Sequence, residues 1–134
     1  MRLRKVHAEF LALARVVRVA TADARGIPHV VPVCPVVVDG RLCFASGSDA
    51  RKARNMRANS HVTVVGDDYS EAWDALRGVM VVGTAQLHER GPRFRRVRRL
   101  LYTKYPQYEA EAALDEGESV VVEVTPTRVF AWGF

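Results

Sequence analysis

The pair Asp39-Gly40 most limits what this 134-residue chain can fold into. An Asp-Gly pair accepts positive φ at both central positions of a two-residue turn, so it closes an antiparallel hairpin that follows the natural strand twist. The Val-rich run from Ile27 to Val38 enters that turn, and Arg41 to Ala45 leaves it. Cross-strand partners are equidistant from the turn, which puts Cys34 and Cys43 on diagonal positions of one face. Diagonal positions lie about 7–8 Å apart, too far for an easy disulfide, so two buried thiols are expected.

The rest of the chain follows the same plan. Leu3, Val6, Phe10, Leu13 and Val17 recur at spacings of three or four, the mark of an amphipathic helix over roughly the first 14 residues. Val16 to Ala22 is strand-like, and Asp23-Ala24-Arg25-Gly26 is a turn. Pro28, Pro32 and Pro35 interrupt the run from Ile27 to Val38 and belong on sheet edges or at bulges. A helix from Ala50 to Asn59 and a strand from His61 to Gly66 come next. A polar loop then carries Tyr69 and Trp73, and a strand from Leu76 to Leu87 follows. Arg93 to Tyr105 is helical in pattern and ends at Pro106. A short helical piece from Tyr108 to Leu114 and a last strand from Ser119 to Phe130 complete the chain. The expectation is a mainly β (α+β) single domain over residues 1–134: six strands in antiparallel order, closed into a barrel, with flanking helices.

Hydrophobic residues make up 49% and charged residues 26%, which suits a globular chain. No apolar run approaches the roughly 20 residues of a membrane span. No apolar segment follows the basic Met1-Arg2-Leu3-Arg4-Lys5, so a cytoplasmic protein with no membrane partner is expected. The net charge of +5 points to an anionic partner. Arg90, Arg93, Arg95, Arg96, Arg98 and Arg99 read as a solvated helix face, a polyanion surface or a dock for an anionic cofactor tail. No aromatic residues interleave with them as a stacking platform for nucleic acid would require. His7, His29, His61 and His88 are scattered and no CxxC exists, so no metal site is expected. There is no nucleophile elbow, paired-carboxylate pattern or Cys/His pair from which to name a catalytic residue. Any reaction would then be carried by a cofactor that the protein binds and orients.

Ser46 to Asn55 is where such a cofactor would anchor. A Gly/Ser turn leaves a strand and opens a helix, with Ser48 or Asp49 as the expected N-cap. Arg51 and Lys52 then sit in the first helical turn, where the helix dipole already carries about +0.5 charge. A bound anion repairs that clash, and backbone N–H groups with Arg and Lys form a phosphate cradle. The alternative is two cations on a solvated face.

Val19 to Val33, the hairpin Asp39 to Ala45, the segment Ser48 to Asn59, the strand Val62 to Val65 and the strand Arg77 to Ala85 together resemble the pyridoxamine 5′-phosphate oxidase-like, FMN-binding split-barrel family. The resemblance runs from about Phe10 to Trp132. Asp67 to Trp73, Lys104 to Tyr108 and the ending near Trp132 are most similar to the deazaflavin-dependent branch, which uses coenzyme F(420) in place of FMN. The resemblance implies a homodimer with cofactor sites at the subunit interface and a small organic substrate. It implies that Arg51 and Lys52 bind the cofactor phosphate and that Ala45, Ser46, Val31, Pro32 and Val33 line its chain and ring. Asn55 joins the site by the same carry-over, and Trp73, Arg77 and Trp132 reach it from the partner subunit. The ending Phe130-Ala131-Trp132-Gly133-Phe134 lacks the basic motif that holds pyridoxal phosphate in the true oxidases. Relatives of this architecture also bind haem, so a non-catalytic cofactor-binding module is the alternative to a flavin or deazaflavin oxidoreductase, beside a nucleic-acid binder.

Overall fold

A computed structural model describes residues 1–134. Helix α1 (Lys5–Leu13) leads into β1 (Val17–Ala22), β2 (Pro28–Val33), β3 (Val36–Val38) and β4 (Arg41–Gly47). Helix α2 (Arg51–Ala58) is followed by β5 (His61–Asp68), a single 3-10 turn at Trp73–Ala75 and β6 (Arg77–His88). Helices α3 (Pro92–Lys104) and α4 (Gln107–Glu111) precede β7 (Ser119–Trp132).

The strands form one antiparallel sheet in the order β2-β1-β5-β6-β7-β4-β3. There are seven strands rather than the expected six, because the run from Ile27 to Val38 breaks at Cys34-Pro35. The two halves of that run become the opposite edges of the sheet. Three residue steps, Val33 to Val36, span at most about 11 Å. The sheet must therefore curl until its edges meet at that corner, which gives a barrel split between β2 and β3. Pro28 and Pro32 are tolerated in β2 because it pairs on one side only, with β1.

The Asp39-Gly40 hairpin forms as its sequence dictates. Both residues have positive φ, and Val36 pairs with Cys43, Val37 with Leu42 and Val38 with Arg41. Both thiols are unpaired, but only Cys43 is buried. Cys34 lies in the corner after β2 rather than in a strand, and is half-buried, which corrects the expectation of two buried thiols. Burial pushes the Cys43 thiol up to about 12.

Inside the barrel, Val17, Val19, Val64, Val79, Val81, Val122 and Phe44 are fully enclosed. Helix α2 connects β4 to β5, which are three places apart in the sheet, and so crosses the barrel mouth. Ala53 and Met56, one helical turn apart, plug that mouth and join the interior core. A second core lies outside the sheet, where Phe94, Val97 and Leu101 of α3 pack against Val38, Cys43 and Val121.

Helix α3 is also held by charge. Glu123 on β7, 4% exposed, accepts hydrogen bonds from Arg93 Nε (3.0 Å) and Arg41 (3.0 Å) and faces His88 Nε2 at 3.2 Å. Burial alone would raise this carboxyl, but the bonds from Arg93 and Arg41 prevail and hold it below its ordinary 4.5. Arg93 and Arg96 reach Asp39 in the hairpin turn, Arg95 reaches Glu116, and Arg98 donates to the Leu114 carbonyl. Much of the basic run thus fastens α3 to the sheet and to the segment after α4.

Two outcomes test these contacts. At Gly83 a side chain would overlap the Thr125 carbonyl oxygen at the β6–β7 bulge, so Gly83→Ala should cost about 2 kcal/mol in denaturant unfolding. The contribution of Glu123 is fully present above pH 4.5 and is lost as pH falls through its lower folded value. Glu123→Gln should cost about 2 kcal/mol at pH 7, since the arginines it leaves behind are partly wetted. It should also flatten the acid limb of the stability-versus-pH curve.

Candidate functional site

The site begins where β4 delivers the chain to the turn before α2. Ser46 is buried and its hydroxyl donates to the Gly47 carbonyl at 2.9 Å. Beside Gly47 the space is open, with no atom within 4 Å of where a Cβ would stand. The expected cap is absent: Ala50 is the N-cap residue of α2 and no side chain caps the helix. Ser48 is engaged elsewhere, its carbonyl and hydroxyl accepting from Arg57 at 2.7 and 3.0 Å. The first N–H groups of α2 therefore lack a side-chain acceptor, and no acidic residue lies in its first turn.

Lys52 and Asn55 flank the stripe of Ala53 and Met56 that plugs the barrel, so both are drawn inward. Lys52 is half-buried, and burial pushes its ammonium down with no carboxylate offsetting the effect. Arg51 stays exposed. Asn55 is 5% exposed and donates its amide to Thr21 Oγ1 at 3.0 Å, tying α2 to β1. Its side chain serves the barrel rather than the open cleft.

The cleft beside Lys52 has a volume of about 340 Å³. One wall is Ala45, Ser46, Gly47 and Lys52, and the opposite wall includes Tyr108 and Leu114. Tyr108 is not among the site residues that the sequence implies. Its position shortly after Pro106 was the available signal, because a chain that stops a helix there must fold back over α3. Burial, then the neighbouring Cys34, pushes its phenol up to about 12, so it is a neutral hydroxyl at physiological pH.

The cleft brings together Ala45, Ser46 and Lys52 of the expected residues. Val31 and Val33 face the barrel core from β2, and Pro32 points outward. Trp73 is 81% exposed on the loop between β5 and β6. Arg77 opens β6 and stacks over Phe10 at 5.0 Å. Trp132 ends β7 opposite Gly78, and its Nε1 is buried without a partner. Gly47 pairs with Ser119 at the other end of β7, 14 residues long, or roughly 45 Å of strand contour at about 3.3 Å per residue. Arg77 and Trp132 thus lie at the opposite ends of β6 and β7 from the Lys52 cleft.

Residues 3–133 match the family model described as pyridoxamine 5′-phosphate oxidase. No curated protein matches the sequence. Among solved structures, the chain is similar to a conserved hypothetical protein of Mycobacterium tuberculosis, at a TM-score of 0.83 and 23% identity, covering 98% of this chain and 89% of that one. It is similar to the heme storage protein HutZ of Vibrio cholerae (TM-score 0.81, 20% identity, 97% and 94% covered). It is also similar to a NimC/NimA family protein of Clostridium acetobutylicum (TM-score 0.73, 21% identity, 97% and 87% covered). These likenesses establish the fold.

Asn55→Ala should lower unfolding stability by about 1–2 kcal/mol, the worth of a buried hydrogen bond with one partner left unsatisfied. Cofactor affinity measured on the folded fraction should stay within about twofold.

Proposed function

The chain belongs to the pyridoxamine 5′-phosphate oxidase family, and on that premise we propose that it is a dimeric oxidoreductase. Its cofactor is FMN or coenzyme F(420), and it passes hydride to or from a small organic molecule. One observation carries this reading: Lys52 is a partly desolvated ammonium with no acid beside it, set at an uncapped helix start in an open cleft. Desolvating a cation without a counter-charge is costly, and an anionic ligand removes that cost.

The residues present fit a phosphate. Lys52 supplies the charge, the first N–H groups of α2 supply donors, and Gly47 leaves the space through which the group approaches. Arg51, exposed at the same helix turn, adds a second cation from outside. Tyr108, protonated at neutral pH, offers a hydroxyl from the opposite wall. When bound, a flavin or deazaflavin ring supplies the hydride chemistry. The protein's part is to anchor the anionic end and to offer the outward face of edge strand β2, at Pro32, to the ring.

A dimer is part of the same proposal. By the family resemblance Trp73, Arg77 and Trp132 join the proposed site, yet Arg77 and Trp132 sit at the opposite ends of β6 and β7 from the Lys52 cleft and Trp73 in the loop before β6. A second copy is the way they come to it. Val30 (64% exposed), Trp73 and Phe130 (43%) leave apolar surface for that contact.

A second reading, cofactor binding without turnover, is favoured by the likeness to the heme storage protein. Titration of the apo-protein with FMN, F(420) and hemin separates the two readings. Saturable binding of FMN or F(420), with ring reduction by a reductant and reoxidation by an organic acceptor, supports the oxidoreductase. Hemin binding with indifference to both flavins contradicts it. Lys52→Ala should weaken FMN or F(420) binding by roughly 1.5–3 kcal/mol, the worth of a charge-assisted hydrogen bond. An unchanged dissociation constant would remove Lys52 from the site.

A further inference from the structure

Helix α3 sends its side chains in three directions. Phe94, Val97 and Leu101 pack against the sheet. Arg93 and Arg96 lean to one flank, where Glu123 and Asp39 take them up. Arg95, Arg98, Arg99, Tyr102 and Thr103 fall on the other flank, where α4 returns after Pro106 and brings Glu109 alongside. These six residues line an open groove of about 550 Å³. The groove shares none of them with the Lys52 cleft. Tyr102 lines the groove and Tyr108 lines that cleft, with ring centroids 6.2 Å apart.

The charges in the groove are unequally matched. Arg95 meets Glu116 at 3.2 Å. Arg98 donates to the Leu114 carbonyl at 3.1 Å, a neutral acceptor that leaves its charge uncompensated. Arg99 is exposed and its guanidinium has no partner; only its backbone carbonyl is engaged, by the Thr103 hydroxyl. Arg95 stands three residues from Arg98 and four from Arg99, spacings at which like charges on a helix repel. Glu109, the one acid in the lining, pairs with none of the three. A second observation points the same way. Tyr102 is half-buried, and its hydroxyl oxygen accepts the Leu114 N–H at 2.9 Å. That bond leaves the phenolic proton with no acceptor in the chain. The groove thus presents donors in excess, two unmatched guanidiniums and one hydroxyl.

We propose that this groove binds a small organic dianion, a phosphate monoester or a dicarboxylate with an aromatic body. Its oxygens accept from Arg98, Arg99 and the Tyr102 hydroxyl, and its body lies along the Tyr102 ring. Arginine suits this task, because its planar fork meets two oxygens at once. The bound charge relieves the repulsion along the helix flank. Glu109 opposes the ligand from α4 and holds the affinity down.

Amide chemical shifts of the folded chain, followed during titration with phenyl phosphate and with phthalate, test this. Benzyl alcohol is the uncharged counterpart. The dianions should give saturable shifts over residues 95–103 and at Glu109; tighter binding of phenyl phosphate assigns the site to phosphates, and of phthalate to dicarboxylates. Shifts at the start of α2 report separately on the Lys52 cleft, so one site can fail without the other. Arg99→Ala removes a side chain with no partner to lose and should weaken binding in the groove about fivefold, the worth of one exposed ion pair. Glu109→Gln should tighten it about twofold, by removing a like charge. Shifts in the groove that never saturate into the millimolar range would overturn the proposal. So would benzyl alcohol binding there as tightly as the dianions, or affinities indifferent to both variants.

Discussion

A two-residue link, Cys34-Pro35, joins strands at opposite edges of the sheet, and the rest of the molecule depends on that closure. The corner is clasped from outside. Lys104 Nζ donates to the Pro35 carbonyl at 2.7 Å and to Ala14 at 2.6 Å. The Tyr105 hydroxyl donates toward Pro35 at 2.9 Å and lies 3.0 Å from the Arg15 carbonyl. Burial pushes Lys104 down to about 8 and Tyr105 upward. One helix end thus ties down the seam, the end of α1 and the entry to β1. With the seam shut, β4 and β5 face each other across the barrel mouth, and the segment between them must cross it. That crossing puts Ala53 and Met56 inside and leaves Lys52 on the lip of the plug, half out of water.

The strand-by-strand order was legible because each signal was local. Asp39-Gly40 requires positive φ at two positions, and the register from Val36↔Cys43 onward follows directly. Alternating or continuous valines fixed β1, β5, β6 and β7 to within a few residues. The break at Cys34-Pro35 was not legible as a seventh strand. Proline marks an edge or a bulge, and only the sheet order shows that this edge is both ends of the same sheet. The basic run of α3 shows the same limit. Its spacing gave a charged face, but the acids that take up Arg93, Arg95 and Arg96 come from Asp39, Glu116 and Glu123, far off in sequence.

At the site, Ser46 and Lys52 were found from a strand–turn–helix pattern, and they do line one cleft. The expected cap is absent because Arg57, in the last turn of α2, takes up Ser48 instead. Asn55 shares a helix face with Lys52, but the barrel claims its amide through Thr21. Tyr108 is not legible from sequence because its place opposite Lys52 depends on how α4 folds back after Pro106. What the sequence offered was a cation without a purpose, and the fold adds that this cation is also partly dry and unpaired.

The central claim is that Lys52 and the start of α2 hold the anionic end of a coenzyme. Its most direct test is the crystal structure of the protein saturated with F(420) or FMN. The account predicts density for a phosphate group within hydrogen-bond distance of Lys52 Nζ and of the first backbone N–H groups of α2. A coenzyme resolved elsewhere, with Lys52 turned into solvent and the turn after Gly47 empty, would contradict it.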